Sequence, residues 1–572
     1  MWFSPLVFSS TCIGVVASLA SEHLGLKVEH KNPTNSSHFQ DEPSSSGNMQ
    51  FVLALASAAT LVLPVAAQCE DYSKYSTKPQ GIPSAGVLGL PLMRPPPECR
   101  TFNSSSVETV IDQMKKRLKD PDVGRLFENT FPNTLDTTVK YFSKENNLAF
   151  IITGVSFPLT AQWLRDTANQ LAHYHSLLGQ DKELATLVKA VINNEARYIA
   201  EYPYCGAFQP PPESGLKPTV NDWALGVTVN PYVNFLQRCL SYLMGLTLSW
   251  RKVRAGLPLR ILVSFPRFPL AQNSLGLIST CRKLSRSYYQ ATKDPSFAND
   301  NWDAAISQIF RVIEEQSQGT FDEDFNVISY YNWTGGNGAL SPQVPNRGNG
   351  EPKGYTGMVG THHRPSDDLS TYAFLTPANA MLSVELAHLA DALDSIGRLK
   401  NVSDSAREWS SQIRDAIWNH TVSDGVFAYE TNGLGSQYLM DDANVPTDPT
   451  YVKTKDMILS RRNPYYAKGK TFFGTGGPHV DTVHPWPMSL ISAIYGSDDN
   501  NEIEALLYTI VNNTAGLGLI HESQNVHNGS DYTRPWFAWA NSYFAEMLLD
   551  LAQRKPSLIF NSPEPYIVGK DA

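Results

Sequence analysis

The sequence predicts an all-α fold, a toroid of helices forming one large domain. Three observations carry this. Runs of roughly 12–18 residues with apolar side chains at helical spacing recur along the chain. Sustained strand alternation is scarce, and no short repeat of fixed period is visible, which disfavours a regular solenoid. The polar, chemically capable residues cluster in long loops between the runs.

The clearest helix is expected at 377–396. Thr376 is placed as its cap and Pro377 in its first turn. Met381, Leu382, Val384, Leu389, Leu393 and Ile396 recur at helical spacing, and Gly397 ends it. The same pattern predicts helices over 405–418, with Trp409, Ile413, Ala416 and Ile417 inward, and over 300–316, 182–200, 502–512 and 536–553. Residues 90–560 read as one catalytic-sized domain.

Composition narrows the class. The chain has 572 residues, 42% of them apolar and 18% charged, which is ordinary for a folded protein. A formal charge of −9 argues against a nucleic-acid partner held by bulk charge. Beyond marginal stretches near the N-terminus no apolar run reaches the ~18 residues of a bilayer span, so no stable membrane span is expected. The tryptophans and tyrosines are compatible with sugar-stacking surfaces and equally with a large core. The chain is expected to act as a monomer.

The N-terminal part reads as targeting. Residues 49–67 combine an apolar run, Pro64 and the small residues Val65-Ala66-Ala67, as in a secretory signal peptide. Residues 1–48 then read as a gene-model extension or a disordered leader ahead of a start at Met49. The alternative is a true long N-terminus with an internal anchor. Sequons at Asn103, Asn332, Asn401, Asn419, Asn512 and Asn528 agree with secretion into the extracellular space. Five cysteines follow the leader, too few for a disulfide scaffold and without metal spacing; Cys69–Cys99 is the first expected bridge. Between Trp223 and Lys293 there is no Asp or Glu, where the average would place about seven, yet basic residues abound. We read 235–282 as an atypical basic insertion such as translated intron, with a membrane-surface segment as the alternative.

Five motifs hold the candidate chemistry. The first runs from Thr153 to Asn169 and contains Trp163, Arg165 and Asp166, an ion pair at a helix start or a hydroxyl-binding pair. The second, Thr361–Asp368, sets Asp367 and Asp368 beside Arg364 and two histidines, as acid-base candidates or helix caps. The third contains Asp441, Asp442 and Asn444. The fourth contains His479 and Asp481, followed by Trp486. The fifth joins His521, Glu522 and Ser523 to Arg534, Trp536, Trp539 and Asn541. A carboxylate after an apolar run, among aromatics and near an arginine, suits a base that activates water; a buried Glu522–Arg534 salt bridge reads equally well. No metal-ligand spacing, nucleophile elbow or phosphate loop occurs, so no cofactor or metal is expected. Paired carboxylates with aromatics leave glycoside hydrolysis as the leading chemistry.

In this order the motifs resemble glycoside hydrolase family 125, the exo-α-1,6-mannosidases, and its secreted fungal branch. The matching stretches are Ala161–Asp166, Arg364–Asp368, Gly477–His479, His521–Ser523 and Arg534–Asn541. The resemblance covers about 90–230 and 283–560 of the chain. It implies an (α/α)6 barrel, inversion without a metal, Glu522 as general base and Asp367, ahead of Asp368, as general acid. Arg165, Asp166, Arg364, His479 and Arg534 would hold sugar hydroxyls, Trp163 and Trp536 would stack on or wall in the sugar, and Asp441, Asp442 and His521 complete the substrate-binding set. The substrates would be α-mannoside oligosaccharides or mannan. Two departures stand out. Residues 272–278 lack two carboxylates that the family carries there, and after Pro446 the chain omits an apolar loop. The alternatives are therefore a catalytically impaired mannan-binding or cell-wall-associated barrel, and another toroid enzyme such as a lyase.

Overall fold

The computed structural model describes residues 69–154, 161–204, 208–218, 284–328, 345–346, 349–364, 369–438, 449–477 and 481–569. The expected leader (1–48) and signal peptide (49–67), the basic insertion (235–282) and Asn332 lie outside the described residues, as do Asp367, Asp368, Asp441, Asp442 and His479.

Helices dominate. The principal ones are α1 (Ser105–Arg117), α2 (Pro121–Thr130), α3 (Leu164–Ala172), α4 (Lys182–Glu201), α5 (Asp300–Ser317), α6 (Thr376–Ile396), α7 (Lys400–Thr421), α8 (Pro487–Tyr495), α9 (Asn500–Val511) and α10 (Ala538–Arg554). The predicted ranges over 182–200, 300–316, 377–396, 502–512 and 536–553 match these within one or two residues. Helix α7 instead starts five residues before the predicted 405, because Gly397 and the left-handed Leu399 complete the turn that the Trp409 periodicity does not mark. Two details of α6 are corrected. Thr376 is its first residue rather than its cap, and its hydroxyl donates to the Ala428 carbonyl at 2.5 Å. Val384 lies on the solvent side, and Leu386 takes the inward position. Gly397 ends the helix at φ +72°, a conformation costly for any residue with a Cβ.

The long helices pack as neighbouring pairs, α6 on α7, α4 on α5 and α8 on α9. Helix α10 lies against α2, α3 and α8, and buries Phe544, Met547, Leu548 and Leu551. Among the described residues no helix is long and apolar enough to cross a membrane.

Strands are short and serve the loops. β1 (Val139–Ser143) pairs with β2 (Leu148–Ile151); β3 (Phe374–Leu375), β4 (Glu430–Thr431) and β5 (Gln437–Tyr438) form a three-stranded sheet with β4 in the middle. β6 (Tyr466–Lys468) pairs with β7 (Phe473–Thr475), and β8 (Ser523–Gln524) with β9 (Tyr532–Thr533), all antiparallel. An N-terminal strap precedes α1. It is closed by the expected Cys69–Cys99 disulfide. Inside it the Tyr72 hydroxyl donates to the Met93 carbonyl at 2.8 Å, and the buried Arg94 bridges Asp136 (2.7 Å) and Glu108 on α1 (2.6 Å).

Candidate active site

The fifth motif folds as a hairpin. β8 and β9 pair so that Ser523 faces Thr533, and the Glu522 amide donates to the Thr533 carbonyl at 3.3 Å. This brings Arg534 beside Glu522, with Nε 2.9 Å from Oε2. The Thr533 hydroxyl donates to the same oxygen at 3.0 Å, and is itself 2.7 Å from the Ser523 hydroxyl. Glu522 keeps only 8% of its surface exposed, so its charge is held by these partners rather than by bulk water. Arg534 adopts φ +53°, a left-handed conformation rare for a side-chain-bearing residue, which the hairpin imposes where the guanidinium turns to Glu522.

His521 backs the hairpin. Its ring stacks on Tyr532 at 3.9 Å, and its nitrogens lie 3.3 Å from the Arg534 carbonyl and 3.2 Å from the Thr514 carbonyl. Burial pushes its pKa down to about 4, although the carbonyls favour the charged form. It is held by the Arg534 and Thr514 carbonyls and by the Tyr532 ring.

The first motif meets the fifth. Gly154 sits at φ +78°, and a Cβ there would lie 2.8 Å from the Trp536 ring, so only glycine lets the two segments touch. The Ala538 amide donates to the Thr153 carbonyl, and the Arg165 guanidinium stands 5.2 Å from the Trp539 ring centre. Arg165 and Asp166 are also an ion pair at 2.8 Å at the start of α3. Trp536 is 3% exposed. It packs edge-on against Tyr72 at 5.0 Å, and its indole N–H donates to Asn133 at 3.3 Å, so it is clamped as a wall. Trp163 is 8% exposed, and its buried Nε1 has no hydrogen-bond partner. The fourth motif flanks the same hairpin: the Gln524 amide donates to Pro485 and the Val526 amide to Val483, while His484 sits 2.8 Å from Asp481 and 3.3 Å from Asp531.

The second motif has a different support. Arg364 is 4% exposed and bonds Glu430 at 2.6 Å, with its guanidinium 5.3 Å from the Tyr429 ring centre. Glu430 pairs across the sheet with Tyr438, the first residue of the third motif; Asp441, Asp442 and Asn444 lie outside the described residues. The separation of Asp367 or Asp368 from Glu522 falls outside the described residues. Sequence reasoning missed Glu430, Asn133 and Tyr72. Glu430 carried one usable signal, a lone carboxylate in the short apolar run Val426–Thr431, which needs a cationic partner if buried.

The body is mainly helical, and a buried, arginine-paired carboxylate stands on one of its loop hairpins. A family described as Metal-independent alpha-mannosidase (GH125) matches residues 120–243 and 273–549, and the chain belongs to that family. The Meiotically up-regulated gene 157 protein of Schizosaccharomyces pombe is 38% identical over 535 residues, covering 89% of this chain and 97% of that protein. A metal-independent alpha mannosidase of Streptococcus pneumoniae, solved in a non-productive substrate complex with alpha-1,6-mannobiose, shares the fold. Its TM-score is 0.64 at 24% identity, covering 79% of this chain and 99% of that one.

Proposed function

We propose that the protein removes non-reducing terminal α-1,6-linked mannose from oligosaccharides or mannan, with inversion, within an (α/α)6 barrel. The observation that carries this is Glu522, a nearly buried carboxylate fixed at Oε2 by Arg534 and Thr533 on the hairpin that also meets the first and fourth motifs. Family membership and the mannobiose ligand of the S. pneumoniae protein support the substrate class.

In this reading Glu522 accepts a proton from water as the water oxygen attacks the anomeric carbon. Asp367, or Asp368 in its place, donates its proton to the departing glycosidic oxygen as the C–O bond breaks. The two carboxyl groups are then expected roughly 6.5–9.5 Å apart, which leaves room for the water. Arg165, Asp166, Arg364, Asp441, Asp442, His479 and Arg534 hold hydroxyls, directly or through their neighbours. Trp163 contributes a buried donor, and Trp536 and His521 form the backing. Secretion is part of the proposal: the sequon residues Asn103, Asn401, Asn419, Asn512 and Asn528 are all exposed, as glycan acceptors require.

The test is hydrolysis of α-1,6-mannobiose followed by proton NMR. β-Mannose is expected first, and α-mannose as the first product counts against inversion. Glu522→Gln is expected to lower kcat by about 10²–10⁴-fold while leaving the fold intact. Near wild-type turnover removes Glu522 from the base role, and binding without turnover in the wild type favours the impaired mannan-binding protein.

A further inference from the structure

Arg534 stands in a backbone conformation that its own chemistry resists. Its φ of +53° is left-handed, which a Cβ disfavours, and Pro535 after it biases the preceding residue toward extended backbone. Such a conformation persists only where its surroundings hold it. It matters here because the side chain it directs places Nε 2.9 Å from Glu522 Oε2. The group that can be held is the Arg534 carbonyl. Among the described residues its hydrogen-bond partner is His521 Nδ1, at 3.3 Å, and no backbone amide reaches it. The other ring nitrogen, Nε2, lies 3.2 Å from the Thr514 carbonyl, but that oxygen already accepts from the Leu517 amide at 2.8 Å. Both nitrogens thus face acceptors, and a neutral imidazole has a single N–H to give. Burial keeps the ring neutral, with its pKa down at about 4, against the pull of the backbone at Thr514, Arg534 and Pro535. The one proton stabilises most where no other donor is at hand, which is at Arg534. With the ring buried and both nitrogens turned to backbone, His521 offers no nitrogen to a sugar hydroxyl.

We propose that His521 carries its proton on Nδ1 and is a positioning residue, holding the Arg534 carbonyl so that the guanidinium stays on Glu522. Its effect on turnover rests on the mannosidase reading above; the tautomer does not. The stack on Tyr532, at 3.9 Å, fixes the plane of the ring and so the direction of that N–H.

The experiment compares the full-length wild type with His521→Asn and His521→Gln. The asparagine amide nitrogen falls near the place of Nδ1 and the glutamine amide nitrogen near that of Nε2, so asparagine keeps a donor for Arg534 and glutamine keeps one for Thr514. Both variants lose the Tyr532 stack alike. On α-1,6-mannobiose the glutamine variant is expected to lose about 10–100-fold in kcat with KM within about threefold, and the asparagine variant to retain about fivefold or more of kcat above it. Unchanged kcat with glutamine, equal losses in the two variants, or a larger loss with asparagine overturns the positioning role, because a ring that only fills space does not distinguish them. Independently of turnover, nitrogen NMR of the wild type with isotope-labelled histidine at neutral pH reads the tautomer, His521 being assigned through its contact with the Tyr532 ring. A protonated Nδ1 is expected, and a protonated Nε2 overturns the proposal. If the wild type does not hydrolyse mannobiose, the mannosidase reading fails, and the tautomer alone decides whether His521 holds Arg534. It decides likewise should either variant not fold.

Discussion

At the scale of single residues, the behaviour of Glu522 depends on what touches Oε2. The Thr533 hydroxyl donates to it, one of the hydrogen bonds that hold the buried carboxylate in place. Under the proposed base role, removing that donor with Thr533→Val is expected to lower kcat/KM on α-1,6-mannobiose by about 3–30-fold. An unchanged kcat/KM shows that the hydroxyl does not hold the carboxylate for catalysis. Legibility at this scale follows chain distance. Glu522 and Arg534 stand on one short hairpin, so their proximity could be read from the sequence, along with the alternative that they form a salt bridge; the ion pair at 2.9 Å is what the structure shows. Glu430 bonds an arginine 66 residues away through a sheet of two-residue strands, and no local pattern announces such a pair.

Two helix starts are joined at the scale of elements. Ser104 Oγ accepts from the Val107 amide at 3.2 Å and caps α1, while Asp181 accepts from the Leu184 amide at 2.9 Å and caps α4. The Ser104 hydroxyl then donates to the other oxygen of Asp181 at 2.6 Å. Each cap satisfies an amide that has no partner within its helix, and losing either is expected to cost about 1 kcal/mol in urea unfolding. Because the caps bond each other, Ser104→Ala and Asp181→Ala together should cost at least about 0.5 kcal/mol less than the sum of the single changes. Strict additivity refutes the coupling. Helix positions were legible because burial on one face imposes a spacing that survives in sequence, as with Leu382, Leu389 and Leu393 in α6. Their ends were less so: Thr376 has the chemistry of a cap, but a tertiary partner, the Ala428 carbonyl, claims its hydroxyl.

Two buried imidazoles act on the molecule as a whole. Burial pushes His173 down to about 3 and His521 down to about 4, from an ordinary value of 6.5. Between about pH 4 and 6.5 the unfolded chain binds protons that the folded chain refuses, so stability rises with pH across that window and each histidine contributes about 1.4 kcal/mol per unit. In His173→Gln, whose amide nitrogen reaches the Phe131 carbonyl that Nε2 now meets at 2.8 Å, the slope of unfolding free energy against pH should fall by about one proton. An unchanged slope refutes the burial argument. The helical class was legible from periodicity alone, but the meeting of the first and fifth motifs was not, since it depends on Gly154 admitting the Trp536 ring. The strap ahead of α1 extends that point to gene boundaries. A fragment cut to 120–549 would spell every motif yet omit the tyrosine propping Trp536 and the arginine cross-linking Glu108 to Asp136, so the packing that supports the hairpin reaches upstream of the family-matched portion, into the strap that the Cys69–Cys99 bridge closes.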